Sequence, residues 1–503
     1  MEKMKTFGRT LPWILLAAVL FLVNSGLTDA FAASDIQTAL VIETEAAQAE
    51  GQEGQTETGE ELEPAVPEPT ETASLSCTTD GSQVTIQGSV SGAWSDPQYY
   101  DNYLYLFELQ PYEDEIGSRT DYAGWIRKGD PVSFSLPLGF GTEADKLYSS
   151  FVLAVYDGTA YLPVSNRAYV SNPEAVARNT SDYTEPLTKK GLLLDGDMMS
   201  DAMELGVKNS SVSIAFHQIL GQGIDYVYDG KTYHFNKDMI EYYDRAIDKL
   251  SSKDICVTAI ILNGWNEQMP QLLMPGAKKV SGANYYAFNA STQEGVECIK
   301  AIASFLAERY SGEPGSKGKI SNWIIGNEIN NQVWNYLGPS DLDSYVEEYI
   351  RAFRVFYTAI RSVNKNDRLF FSTDFYWNET NPTQLNYAAR DVIDRFAALS
   401  REGGDMDWGL AYHPYSDPLT EPEFWDDGAT GRVVDSVDSY IVNFNNLHVL
   451  TDYFQRPELL DKNGQVRHII LSEQGFTSRS ATRGDVEQIQ AAALAYAYYI
   501  AVS

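Results

Sequence analysis

The chain has 503 residues, more than one ordinary domain holds, so two to four compact units of roughly 150 residues each are expected. Its 37 Lys and Arg stand against 70 Asp and Glu, a formal net charge of −33 with no basic cluster. That argues against nucleic acid or an anionic membrane as partner and reads as a solvated acidic surface. Three scattered cysteines, Cys77, Cys256 and Cys298, make neither a disulfide framework nor a zinc spacing. Buried thiols are the expectation, with a Cys256–Cys298 bridge as the alternative.

Residues 1–33 read as an export signal. Lys3, Lys5 and Arg9 precede the apolar run Leu11–Val23, and Ala30-Phe31-Ala32 offers small residues for cleavage after Ala32. The run is short for a membrane span of about 20 residues, so the mature chain is expected outside the cell or at its surface, with no membrane insertion. Residues 34–73 are rich in Glu, Thr, Gln, Ala and Pro and hold no Lys or Arg, as in Glu63-Pro64-Ala65-Val66-Pro67-Glu68-Pro69, a composition expected to form an acidic disordered tether.

Over residues 74–172 the hydrophobic period is two. Val84–Val90, Tyr103–Leu109, Val132–Leu136 and Ser150–Val155 read as strands, and Gly, Asp, Pro and Asn punctuate the gaps. The pattern predicts a small all-β sandwich. Its aromatics Trp94, Tyr99, Tyr100 and Trp125 are expected to pack it, with a sugar-stacking platform as the lesser reading. Residues 173–188 are read as a linker.

From residue 189 strands and helices alternate, the pattern of an α/β domain. Strands are expected at Gly191–Leu194, Ser211–Phe216, Ile255–Leu262, Ser321–Gly326, Leu369–Thr373, Trp408–Tyr412 and Ile469–Ser472. Helices are expected at Asp201–Leu205, Asp238–Leu250, Gln293–Tyr310, from the capping-box-like Ser340-Asp341-Leu342-Asp343 to Val363, across Asp391–Leu399, near Ser439–Phe454, and at Asp485–Ala501. A closed parallel barrel takes eight strands. Seven are read here, so the fold class is a (β/α)8 barrel truncated before strand eight, unless the count is off by one.

Two strands share one grammar: an apolar run that ends on a carboxylate. Trp323-Ile324-Ile325-Gly326-Asn327-Glu328 is strand four, and His468-Ile469-Ile470-Leu471-Ser472-Glu473 is strand seven. In a parallel barrel the C-terminal strand ends form one face, where active sites lie, and two facing carboxylates equip a site for glycoside hydrolysis. A lone glutamate after a strand reads as a solvated loop charge, as do Glu267 and Glu379. The pair, with His413 after strand six, does not.

These phrases resemble the glycoside hydrolases of clan A, retaining enzymes on a (β/α)8 barrel, over residues 189–503. The resemblance implies that Glu328, after Asn327, is the acid/base and Glu473 the nucleophile, with no cofactor and no metal. Tyr412-His413-Pro414-Tyr415 fits the aromatic and histidine often found near the end of strand six. In this reading Asn327 binds the sugar 2-hydroxyl, Tyr415 steadies Glu473, and the negative Glu473 raises the pKa of Glu328. Trp265, Trp334 and Trp377 follow strands three, four and five, where sugar faces stack. The clan's arginine near strand two has no counterpart in Val212–His217; His217 stands there instead.

The substrate expected is therefore a poly- or oligosaccharide. A non-catalytic carbohydrate-binding or scaffold protein with a degenerate barrel is the alternative. A metal-dependent hydrolase on the same barrel is a second, poorly served by five histidines of which only His217 and His413 lie near the expected site.

Overall fold

The computed structural model describes residues 70, 73–96, 99–193, 198–380 and 385–503. The expected export signal, and all of the acidic tether except residues 70 and 73, lie outside the described residues, as does Leu194 of the first expected strand.

Residues 74–169 form two small antiparallel sheets. One joins Ser74–Thr79, Gln83–Ser89 and Val132–Pro137. The other runs in the order Gly124–Arg127, Tyr103–Leu109, Ser150–Tyr156, Tyr161–Pro163, with Ala168–Tyr169 also paired to Ser150–Tyr156. The two-residue period sends Leu75, Cys77, Val84, Ile86, Leu104 and Leu106 inward around a fully buried Trp94, while Trp125 stays 54% exposed. Residues 173–188 are tied to the parallel unit by backbone bonds from Asn179 to Val363 and from Lys365 to Asn179, and by the Tyr183 hydroxyl bonding Asn322 Oδ1.

The larger part is one sheet of seven parallel strands in sequential order: Gly191–Leu193, Asn209–Ala215, Cys256–Leu262, Asn322–Ile325, Arg368–Thr373, Trp408–Tyr412 and Ile469–Ile470. These are numbered one to seven below. The sheet is curled into a half-barrel. Ala215, Ile260, Leu262, Ile324, Phe370 and Ala411, from strands two to six, meet in one small inner cluster with Ile470 of strand seven and Tyr285 against it. The alternate residues, among them Val257, Ala259, Ile261, Trp323, Leu369 and Leu410, face outward into the larger core under the helices.

Those helices are Met199–Leu205, Phe216–Ile219, Lys237–Ser251, Gln293–Arg309, Leu342–Val363, Ala389–Glu402, His448–Tyr453 and Glu487–Val502. Asn236, Thr292 and Asp341 cap three of them with side-chain oxygens. The cap before Leu342 is thus Asp341, bonding the Ser344 N–H, rather than Ser340. The helix expected near Ser439–Phe454 is shorter, His448–Tyr453. Asn446 instead ties residues 434–443 into a loop through Val434 O, Ile441 O and the Asn443 N–H. A hairpin, Gly223–Tyr228 with Lys231–Asn236, is inserted after strand two and was not expected.

At the foot of the sheet the indole N–H of Trp323 donates to Asp367 Oδ2 over 2.9 Å, and Asn364 Nδ2 donates to the same oxygen over 3.0 Å. Burial pushes the Asp367 carboxyl up to about 7, against the pull of those two donors. All three cysteines are free and buried, so the Cys256–Cys298 bridge does not form. Among the described residues strands one and seven each keep one edge without a partner strand. No described helix is long and apolar enough to cross a membrane.

Candidate active site

The C-terminal ends of strands four to seven converge on His413. Strand four leaves the sheet through Gly326, at φ +78°, and Asn327, and puts Glu328 at φ +38°, a left-handed backbone that a side chain rarely adopts. The next strand's end holds it there. The Glu328 N–H donates to Ser372 Oγ over 2.7 Å, and the Ile329 N–H to Ser372 O over 2.9 Å. Two residues on, Asn330 Nδ2 donates to Asp374 Oδ1 over 2.6 Å, and the Asp374 N–H donates back to Asn330 Oδ1 over 3.0 Å.

His413 Nδ1 stands 2.8 Å from Glu328 Oε1 and 3.8 Å from Glu473 Oε2. The two carboxylate oxygens are therefore no further apart than those two distances laid end to end. The other ring nitrogen, Nε2, is 3.1 Å from Ser472 Oγ, which fixes the imidazole plane. The Tyr415 hydroxyl donates to Glu473 Oε1 over 2.8 Å. Glu328 and His413 are buried, whereas the Glu473 side chain is 44% exposed. One carboxyl is dry and the other meets solvent.

Burial is the main force that raises the Glu328 pKa. The hydrogen bond and charge of His413 oppose it, and the charge of Glu473 adds a smaller push upward. The sequence reading assigned this rise to Glu473; desolvation is the larger cause. For His413 burial disfavours the charged ring, but the negative charges of Glu473, Glu328 and Asp374 outweigh that and raise its pKa. Asp374 is pushed up to about 7, first by burial and then by the charge of Glu328.

The other expected site residues divide. Asn327 is buried beside Glu328. Trp334 is partly exposed and stacks on Tyr285, with ring centroids 6.4 Å apart at 29°. Tyr285 itself packs on the inner cluster of the sheet. Trp265 lines a cavity of about 510 Å³ with Glu267, Pro270 and Met274 in the loop after strand three. Trp377 is a correction. It is fully buried, its N–H donates to Val437 O over 3.1 Å, and its ring packs edge-on against Tyr453. It anchors the loop after strand five and has no face to offer a sugar.

His217 does not take the place of a cationic arginine. Its Nδ1 is buried without a hydrogen-bond partner, burial lowers its pKa, and its ring packs so closely on Gly264 that a Cβ there would lie 2.1 Å from Nδ1.

Asp374, Ser372, Asn330 and Ser472 were not singled out by sequence. Asp374 could have been, because Leu369–Thr373 followed at once by Asp374 repeats the grammar that marked Glu328 and Glu473. Among the described residues no group of three or more His, Cys, Asp or Glu is arranged to hold a metal ion.

Fold and side chains together define an α/β half-barrel with a carboxyl–imidazole cluster at its C-terminal strand ends. Residues 182–503 match the profile of a family of unknown function, DUF5722, and the chain belongs to that family. No curated protein matches it. Among solved structures it is similar to a family 1 β-glucosidase from Thermotoga maritima, with 16% identity and a TM-score of 0.36 over 61% of this chain and 73% of that one. It is also similar to the endoglucanase Cel5A from the same organism, at 14% and 0.30 over 64% and 84%. A third is the β-glucuronidase of Bacteroides uniformis, at 11% and 0.34 over 86% of this chain. The chain spans 44% of the length of that glucuronidase.

Proposed function

We propose that the chain is a secreted glycoside hydrolase that cleaves O-glycosidic bonds of a poly- or oligosaccharide with retention, on a barrel of the (β/α)8 type preceded by a β-sandwich. The observation that carries the reading is the bridge of His413 between Glu328 and Glu473. The ceiling it sets on that pair of oxygens admits the about 5–5.5 Å of retaining pairs and reaches only the lowest edge of the about 6.5–9.5 Å of inverting ones, which favours retention.

The chemistry divides as burial divides the carboxyls. Glu473, in contact with solvent and held by Tyr415, attacks the anomeric carbon as a carboxylate while the bond to the leaving oxygen breaks. Glu328, whose burial favours the protonated form, gives its proton to that oxygen. In the second half Glu328 takes a proton from water, the hydroxyl adds to the anomeric carbon, and the bond to Glu473 breaks. Asn327 beside Glu328 is placed to bond the 2-hydroxyl, and Trp334 with Tyr285 offers an aromatic wall on the acid/base side. Ser472 and Glu328 hold His413 so that it steadies both carboxyls.

The test is a screen of the chain on aryl glycosides and on plant, fungal and bacterial polysaccharides, followed by azide rescue. Glu328→Ala should lose about 10²–10⁴-fold on poor leaving groups, and on activated aryl glycosides, where breakdown of the glycosyl-enzyme limits it, should regain turnover with azide and give a glycosyl azide of retained configuration. Glu473→Ala with azide should give the inverted one. Binding of oligosaccharides with no turnover by the wild-type chain would instead support the non-catalytic alternative, and full activity in Glu473→Ala would sink the mechanism.

A further inference from the structure

Asp374 is spent by none of the steps above, yet it sits inside the site. It is 2% exposed. Oδ1 accepts from Asn330 Nδ2 and from the Tyr376 N–H, over 2.6 and 3.0 Å. Oδ2 is buried and has no hydrogen-bond partner. An ionised carboxylate would waste a charge in that place; a carboxylic acid leaves only an O–H to be satisfied. The same side chain also closes the stitch that holds Glu328. Asn330 is two residues past Glu328 and Asp374 two past Ser372, so both pairs bond across the same strand-to-strand seam.

We propose that Asp374 is a third carboxyl of the site, a positioning residue that shares the site's proton with Glu328 and holds Glu328 in its left-handed backbone through Asn330. The role given to Glu328 rests on the glycosidase reading; the sharing of the proton does not.

The titratable groups that face Asp374 come from three strand ends. They are Glu328 after strand four, Tyr376 on its own loop, and Tyr412 and His413 at the end of strand six. Glu473 after strand seven acts through His413. When Asp374 ionises, its charge raises the affinity of Glu328 and of His413 for a proton. Asp374 and Glu328 are both buried and stitched across the same seam, and the charge of Glu328 is felt by Asp374, so the two do not ionise independently and the cluster releases its protons in shared steps. Three carboxyls and one imidazole then keep a proton near the leaving-group oxygen to higher pH than two carboxyls alone.

The experiment is a pH titration of the full chain by NMR with ¹⁵N-labelled histidine, the His413 signal assigned by its loss in His413→Gln. Asp374→Asn keeps an acceptor oxygen for Asn330 and Tyr376 but cannot ionise. It should lower the His413 midpoint by roughly half a pH unit or more, the usual effect of losing one nearby charge. The control Glu379→Gln, in the exposed loop where Glu379 pairs with Arg432, should leave that midpoint in place. On any glycoside the wild type turns over, Asp374→Asn should also move the alkaline limb of kcat/KM to lower pH. A folded Asp374→Asn with an unmoved His413 midpoint overturns the proposal. So that the answer does not depend on that variant folding, wild-type protein labelled with ¹³C-carboxyl aspartate should show a buried carboxyl titrating near neutral pH besides those of Asp367 and Asp427, which are assigned by their loss in Asp367→Asn and Asp427→Asn, and absence of that further transition also overturns it. If no glycoside is turned over, the glycosidase reading fails while the two titrations still decide the sharing of the proton.

Discussion

Replacing Asp367 by Asn should make the protein relatively more stable as pH rises. Asp367 is buried under strand four, and an amide oxygen in its place keeps the bonds from Trp323 and Asn364 that Oδ2 now accepts. Its pKa is pushed up from 3.8 to about 7 on folding. Between those values the unfolded chain releases a proton that the folded chain keeps, so the folded state loses stability as pH rises toward 7 and is level above it. At about 1.4 kcal/mol per unit, the part of that window above pH 5 is worth about 2–3 kcal/mol, an upper figure for a group whose surroundings can relax. Spread over the unfolding entropy of a chain this long, that is about 2–4 °C in Tm. The assay is thermal unfolding of wild type and Asp367→Asn at steps from pH 5 to 8. Other buried carboxyls titrate in both proteins, so the difference in Tm isolates Asp367. That difference should move in favour of the variant by the stated amount. A difference that stays level across the range refutes the reasoning.

Two further outcomes follow from the site. Tyr415→Phe removes one hydrogen bond to a charged oxygen and should lower kcat about 10–100-fold with little change in KM; a loss under twofold would separate Tyr415 from the chemistry. Trp377→Ala should cost about 3–5 kcal/mol of stability by opening a cavity and leave KM for a small aryl glycoside unchanged; a raised KM in a protein of unaltered Tm would return Trp377 to the substrate.

The pair of carboxylates was legible in sequence because the strands that carry them are short, apolar and end abruptly. Trp323-Ile324-Ile325 and Ile469-Ile470 state both the burial and the point where it stops. The order of the seven strands followed from the same alternation of strand and helix. What was missed has physical reasons. Asp374 was passed over, while Glu379 in the same loop was weighed and read as a loop charge, and it pairs with Arg432. Trp377 sits three residues past Asp374 and looked like a loop aromatic; only the return of residues 437–442 across it turns it into core. The hairpin after strand two was announced by Asp229-Gly230 between alternating residues, the strongest short hairpin signal, and was not read. The cause of the Glu328 shift was misjudged because sequence shows charges and not the depth at which they lie.

The seam between strands four and five has a consequence for how such a chain can change over time. Ser372 and Asp374 meet Glu328 and Asn330 at matched two-residue steps. A single-residue insertion or deletion between sheet and seam would swing Glu328 to the wrong side, and no compensating substitution nearby would restore it. Past Asn330 and Asp374 that constraint ends. The loop carrying Trp334 begins there, so its length and composition can drift on the outer side of the seam while the reacting atoms stay where they are. The boundary between inherited chemistry and adjustable specificity is thus two side chains wide.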